Sequence, residues 1–279
     1  MRRSTVSRTT SVGVRSATAR SWQASRVRSF RSAALLVAAA VVTSLALPTT
    51  TTAPAAGATL PLAGRTIAID PGHQLGNSSH LAEISRPVWV GIWKPCNTTG
   101  TATNGGFPEA TFTWRTSLAL KRRLEALGAT VRLTRTTNST DDWGPCVGTR
   151  GRFGAKVGAD LEISLHGDGA PAATHGFFVI RPGLRAGWTD DILGRSRALS
   201  LRVRAGLVGA GFAVSTAYGG DGLDVRRDLG TLNAADVPTV MVELGNMRNA
   251  GDARCMTSAT CRGRYAHGLA DGVLAQLTR

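Results

Sequence analysis

The apolar positions of this chain follow two rhythms, which predict alternating strands and helices. Short apolar runs bounded by turn residues read as buried strands. They are Arg65 to Asp70 (stopped by Pro71-Gly72), Thr130 to Thr134, 160 to 165, Phe177 to Ile180, Ala213 to Ala217, and Val237 to Val242. Longer stretches read as helices. The clearest opens at Pro108 and runs to about Leu127, with Phe112, Leu118, Leu120, Leu124 and Leu127 on one side and Gly128 as its C-cap. Others cover Arg150 to Val157, Asp190 to Val208, and Cys261 to Leu277. Strands alternating with helices argue for a layered α/β fold. Two polar stretches interrupt the pattern: residues 74–107, glycine-rich with Trp89 and Trp93, and Thr136 to Gly148. A connection as long as the first is expected to be a lid or a binding loop. There is no internal repeat and no second binding module.

The N-terminal segment follows neither rhythm. Residues 1–31 carry eight arginines and no acid, an apolar run follows from Ala33 to Leu47, and small residues stand at Ala53, Ala55 and Ala58. This reads as a secretory signal peptide, so residues 1–56 are assigned to signal and linker and 57–279 to one folded domain. The apolar run falls short of the roughly 20 residues that span a bilayer; an uncleaved anchor is the alternative. The whole chain has a net charge of +15, and removing those eight arginines leaves +7 (15 − 8) on the domain. That charge suits an anionic surface or polymer, such as a cell wall or nucleic acid, and equally a generically arginine-rich protein. Cys96, Cys146, Cys255 and Cys261 are expected in disulfides in an exported protein. Cys255 and Cys261 make a natural local pair, and Cys96 with Cys146 would close a long loop. The chain-entropy model gives about 2 kcal/mol for the short loop and about 4 for the long one. Four cysteines allow three pairings, and the absence of close CxxC pairs argues against a four-cysteine zinc site.

The candidate chemistry lies at the ends of the apolar runs. His73 follows the first strand and its Pro-Gly turn, His166 ends another strand, and Glu243 ends the last one. Glu109 opens the amphipathic helix. In open α/β sheets, ligands collect at the carboxyl ends of strands. Two imidazoles and a carboxylate form a three-ligand zinc set that leaves a fourth position for water, and a further carboxylate supplies a general base. His73, Glu109 and His166 are therefore the expected ligands of one Zn2+, and Glu243 the expected base of a hydrolase. His80, His175 and His267 lack this placement and are expected to be non-ligands. Asp70 either orients a ligand or only ends its strand; Asp168 is expected to close a turn. Trp89 and Trp93 are expected to anchor their loop by burial rather than to stack on a sugar or peptide.

Four blocks carry a resemblance: IAIDPGH, FPEATFTWRTSLALKRRLEALGATVRLTR, GADLEISLHGDGA and LGTLNAADVPTVMVELGNMRNAGDA. In order, spacing and content they resemble the zinc-dependent N-acetylmuramoyl-L-alanine amidases of bacterial cell-wall turnover, from residue 65 to the C-terminus. The resemblance implies an α/β fold with a mixed, mostly parallel central sheet of about six strands flanked by helices, similar to the phosphorylase/hydrolase fold. It implies zinc on His73, Glu109 and His166, with Glu243 as acid/base. The bond implied is the amide between N-acetylmuramic acid and the L-alanine of the stem peptide. Asn246 and Asn249 match the last block and are candidates for the cleft wall. Arg226 and Arg227 are candidates for the stem-peptide carboxylates, Arg227 foremost. Where relatives often have two glycines after the first histidine, this chain reads Gln74-Leu75-Gly76-Asn77, which resembles an actinobacterial subset lacking a separate wall-binding domain. The stretch from His80 to Gly106 also looks specific to that subset. Without a helix signal for an autoinhibitory plug, an open or partly open site is expected.

The expected partner is thus peptidoglycan or its muropeptides, with no nucleic acid and no stable membrane association after signal cleavage. The chain is expected to act as a secreted, periplasmic or wall-associated monomer. Competing readings are a non-catalytic peptidoglycan-binding protein, a cationic polymer-binding module, and a zinc carboxypeptidase acting on the stem peptide.

Overall fold

The computed structural model describes residues 59–278. The expected signal peptide and linker, residues 1–56, lie outside the described residues. In chain order, β1 (Thr66–Pro71) leads through a 3-10 turn at Leu75–Ser79 to α1 (Leu81–Ile84) and a hairpin, β2 (Pro87–Trp89) and β3 (Trp93–Pro95). Next come α2 (Glu109–Ala126), β4 (Thr130–Leu133), α3 (Val147–Gly151), α4 (Phe153–Lys156) and β5 (Leu161–Asp168). The chain continues through β6 (Phe178–Pro182), α5 (Leu193–Gly209), β7 (Leu223–Arg226) and α6 (Gly230–Asn233). It finishes with β8 (Thr239–Asn246), α7 (Ala250–Thr257) and α8 (Ala259–Leu277).

Six strands form one sheet in the order β4-β1-β5-β8-β6-β7. The pairs are parallel except β6 with β8, which gives the mixed, mostly parallel sheet that the resemblance implied. The two-residue period of a strand divides its side chains between two faces. Ile67 and Ile69, Leu161, Ile163 and Leu165, and Val240, Val242 and Leu244 point to one face. There they pack with Phe112, Leu120 and Leu124 of α2, Leu199, Val203 and Leu207 of α5, and Tyr265, Leu269 and Val273 of α8. Glycines set how closely α5 and α8 approach: a Cβ at Gly206 would lie 2.1 Å from the Gly268 carbonyl oxygen. The opposite face carries a smaller apolar cluster of Phe178, Ile180, Leu232 and Met241. Asp70, Ser164, His166 and Glu243 share this second face by alternation.

Two expectations are corrected. Ala213 to Ala217 is not a strand: Val214 makes a single bridge to Phe177, and the sheet's edge strand is Leu223–Arg226. A four-residue edge strand with alternating charge lacks the apolar run that marks an inner strand. Trp89 and Trp93 are not buried anchors, being 51% and 67% exposed on the β2–β3 hairpin; the anchor is Val90, which is fully buried between them in sequence. The disulfides pair as expected, Cys96 with Cys146 and Cys255 with Cys261.

Candidate active site

Neighbouring strands β5 and β8 run in a register that sets His166 opposite Glu243, both on the second face at the carboxyl end of the sheet. His73 stands just beyond β1 in a left-handed backbone conformation, φ 58°. Such a conformation is strained for a residue with a side chain and persists only where its surroundings enforce it. Here every carbonyl of the Pro71-Gly72-His73 turn is held. Arg135 Nε and Arg150 Nη1 donate to Pro71 O at 3.0 and 2.8 Å. Thr113 Oγ1 donates to Gly72 O at 2.8 Å, and Arg150 Nη2 to His73 O at 2.7 Å. Arg150 is in turn fixed by Asp70, 2.5 Å from Nη1, and Asp70 also accepts from Ser164 Oγ at 2.7 Å. Burial alone would raise the Asp70 carboxyl, but Arg150 and the Thr134 and Ser164 hydroxyls outweigh it and lower its pKa. Asp70 therefore acts on His73 at one remove, through Arg150.

Glu109 is the first residue of α2, where the helix N-terminus favours an anion. One of its oxygens lies 3.1 Å from His73 Nε2 and 3.0 Å from His166 Nδ1, and also accepts from Gly167 N at 3.1 Å. The other accepts from Thr101 N at 2.9 Å. His73 Nδ1 lies 3.0 Å from Thr98 O. A carbonyl only accepts, so Nδ1 carries the proton and Nε2 is left free to ligate. One donor atom from each of His73, Glu109 and His166 lies within 4.8 Å of the others, the only such group of three among the described residues. Glycines make room for it: a Cβ at Gly72 would sit 2.5 Å from the His166 ring, and one at Gly100 3.0 Å from both Glu109 and His73. Burial opposes charge on Glu109, yet the two imidazoles prevail and hold its pKa well below the usual range. His73 is shifted upward, because Glu109 outweighs the effect of burial.

Glu243 has the opposite environment. Its Oε2 is buried without a hydrogen-bond partner. Burial first, then the negative charges of Glu109 and Asp168, push its pKa well above the ordinary carboxylate value. Two carboxyl groups on one floor are thus driven apart, Glu109 toward the ionised form and Glu243 toward a higher affinity for protons. All four residues line a cleft of about 490 Å³, with walls from Lys94 to Thr101, Val147 and Arg150, and Leu229 to Thr231.

The other candidates are placed as follows. Asp168 lines the cleft, and its carbonyl accepts from Met247 N at 2.8 Å. Asn246 lies outside the cleft wall: its amide nitrogen donates to the carbonyls of Ala170, Pro171 and Thr174, pinning that loop. Asn249 caps α7. Arg227 is exposed, with its side chain against Gly183, and does not line the cleft. Arg226 forms a bidentate pair with Asp228 at 2.8 and 2.7 Å. His80 pairs with Glu83 and His267 with Asp271, and none of His80, His175 and His267 belongs to the cluster. Three contributors escaped the sequence: Arg150, and the backbones of Thr98 and Thr101. A carbonyl or amide that orients a ligand leaves no side-chain signature, and Arg150 stands among glycines with no apolar pattern to mark it as buried.

The sequence matches the family described as N-acetylmuramoyl-L-alanine amidase over residues 67–275. N-acetylmuramoyl-L-alanine amidase Rv3717 of Mycobacterium tuberculosis is 39% identical over 216 residues, covering 76% of this chain and 86% of the relative. Among solved structures, the fold is similar to the N-acetylmuramyl-L-alanine amidase Ami1 of Mycobacterium smegmatis, with a TM-score of 0.72 and 34% identity over 77% of this chain and 98% of that one. The apo form of Ami1 from Mycobacterium abscessus gives a TM-score of 0.72 at 38% identity, over 77% of this chain and all (100%) of that one. AmiC2 of Nostoc punctiforme, at 20% identity and a TM-score of 0.58 over 77% of this chain and 98% of that one, shares the fold. A family match across nearly the whole described domain, joined by these relatives, establishes that the chain belongs to the N-acetylmuramoyl-L-alanine amidase family.

Proposed function

We propose that this chain is an exported zinc-dependent hydrolase that cleaves the amide between N-acetylmuramic acid and L-alanine in peptidoglycan or its fragments. The observation that carries this reading is the grouping of His73, Glu109 and His166 donor atoms within 4.8 Å beside the unpartnered, buried Glu243 carboxyl. The donor set fits zinc: two nitrogens and one carboxylate oxygen would hold the ion, with Thr98 O behind His73 and Thr101 N behind Glu109. When bound there, zinc supplies Lewis acidity toward the scissile carbonyl and lowers the pKa of water toward about 7.

The residues divide the remaining work. Glu109 stays ionised and His73 presents Nε2, held so by Thr98. Glu243 takes the proton of the attacking water, which its raised affinity for protons favours, and delivers it to the leaving L-alanine nitrogen. Gly167 and Gly169 line the cleft beside His166. One chain supplies the whole cluster, which supports action as a monomer. The basic and then apolar N-terminal segment supports export, with residues 1–56 as signal and linker and 57–279 as the catalytic domain. Among the described residues no helix is long and apolar enough to cross a membrane.

The test is mass spectrometry of a defined muropeptide incubated with the protein, with and without chelator. Separation into free glycan and a peptide with an intact L-alanine amino terminus, abolished by chelator, is expected. Release of a terminal D-residue instead would reassign the chain as a carboxypeptidase, and chelator-resistant cleavage would remove zinc from the mechanism.

A further inference from the structure

Trp89 and Trp93 sit directly opposite one another across the β2–β3 hairpin. Their ring centroids are 5.3 Å apart and their planes meet at 64°. An indole has roughly 150–250 Å² to bury, and neighbouring large aromatics left in water mark an interaction site more often than an accident of folding.

The hairpin that displays them is fixed. Val90 at its tip is fully buried against Gly148 and Gly230. Arg185 ties the tip down, donating to Gly91 O at 2.9 Å and to Arg227 O at 2.7 Å. At the base, Cys96 N donates to Arg86 O at 2.7 Å, and Cys96 is bonded to Cys146. The two rings thus stand on a rigid support with little ordering left to do on binding, a condition that favours affinity. The support also adjoins the cleft, because Lys94 and Pro95, the two residues after Trp93, line its wall.

We propose that Trp89 and Trp93 form a carbohydrate-binding platform on the rim of the active-site cleft, stacking on the N-acetylhexosamine glycan strand that carries the scissile peptide. This rests on the amidase reading above. The bond to be cut hangs from a sugar ring, so a strand whose peptide enters the cleft must run along the rim. A pyranose has an apolar C–H face and a polar edge; the indole faces meet the first and leave the second to water. Two rings inclined at 64° suit a chain whose successive sugars turn relative to one another. A lipid surface fits less well, because the hairpin tip is folded onto the protein instead of projecting from it.

Binding of the full chain to purified, peptide-free glycan strands tests this without turnover, so its failure is distinct from a failure of the amidase reading. Intrinsic fluorescence and co-sedimentation are read for the wild type, Trp93→Ala, Trp89→Ala and Trp93→Phe. Wild-type binding, weakened about tenfold in each alanine variant and largely restored by phenylalanine, is expected, with unchanged melting curves. In parallel, KM on intact sacculi should rise in the alanine variants while kcat and the rate on a monomeric muropeptide stay unchanged. Equal glycan binding by wild type and alanine variants would overturn the proposal, as would no wild-type binding. Tryptophan-dependent binding to phosphatidylglycerol vesicles without glycan binding would overturn it in favour of a membrane contact. Tryptophan-dependent dimerisation without glycan binding would do so in favour of self-association.

Discussion

At the residue scale, the site separates two carboxyl groups by their surroundings. Glu109 lies beside two imidazoles and accepts from two backbone amides, whereas Glu243 meets burial and two negative neighbours. The first environment keeps a carboxylate ionised, as a metal ligand must be, and the second raises its affinity for protons. Glu243→Gln should keep the metal and lose turnover by about 10²–10⁴-fold, the usual worth of a positioned acid/base. His166→Ala should lose both metal and turnover. Elemental analysis beside the muropeptide assay separates the two; metal retained in both variants would refute the ligand assignment.

At the element scale, the carboxyl end of β1 depends on a side chain from α3. Arg150 and Asp70 form a buried pair whose guanidinium also holds Pro71 O, His73 O and Gly144 O. Removing one member of a buried pair leaves the other charge without compensation, at a cost of about 3–5 kcal/mol. Arg150→Ala should lower unfolding free energy by that order in denaturant melts, and free the left-handed His73 turn so that metal binds more weakly. Lysine should recover only part of both losses, since it restores the charge without the planar fork that reaches several acceptors at once. Equal stability of Arg150→Ala and wild type would show that the pair holds nothing.

At the scale of the whole molecule, stability depends on a buried acid outside the cleft. Glu162 on β5 is fully buried; Gly154 N donates to one oxygen at 2.8 Å and the other has no partner. Burial first, and the nearby Asp70 charge second, push its pKa well above the ordinary 4.5. The folded chain therefore keeps a proton that the unfolded chain releases, so stability falls as pH rises from about 4.5 through the folded-state value. In Glu162→Gln that part of the pH dependence disappears. Thermal melts between about pH 5 and about pH 8 should fall less for the variant than for wild type; parallel slopes would show that Glu162 is ionised in the fold.

What was legible by sequence alone follows from local physics. Apolar period, helix-end signals and Pro-Gly turns located the inner strands and α2, and thereby set His73, His166 and Glu243 at strand ends and Glu109 at a helix start. Four cysteines of suitable spacing foretold the two disulfides. Tertiary structure alone decided what depends on approach between distant segments. It gave the β5–β8 register that faces His166 with Glu243, the Arg150–Asp70 pair behind the His73 turn, and the carbonyl of Thr98 that selects a tautomer. It also turned Trp89 and Trp93 outward and Val90 inward, because burial in a two-stranded hairpin is set by what lies beneath it. The edge strand Leu223–Arg226 escaped the sequence for a similar reason, as an edge is defined by its neighbour rather than by its own apolar content.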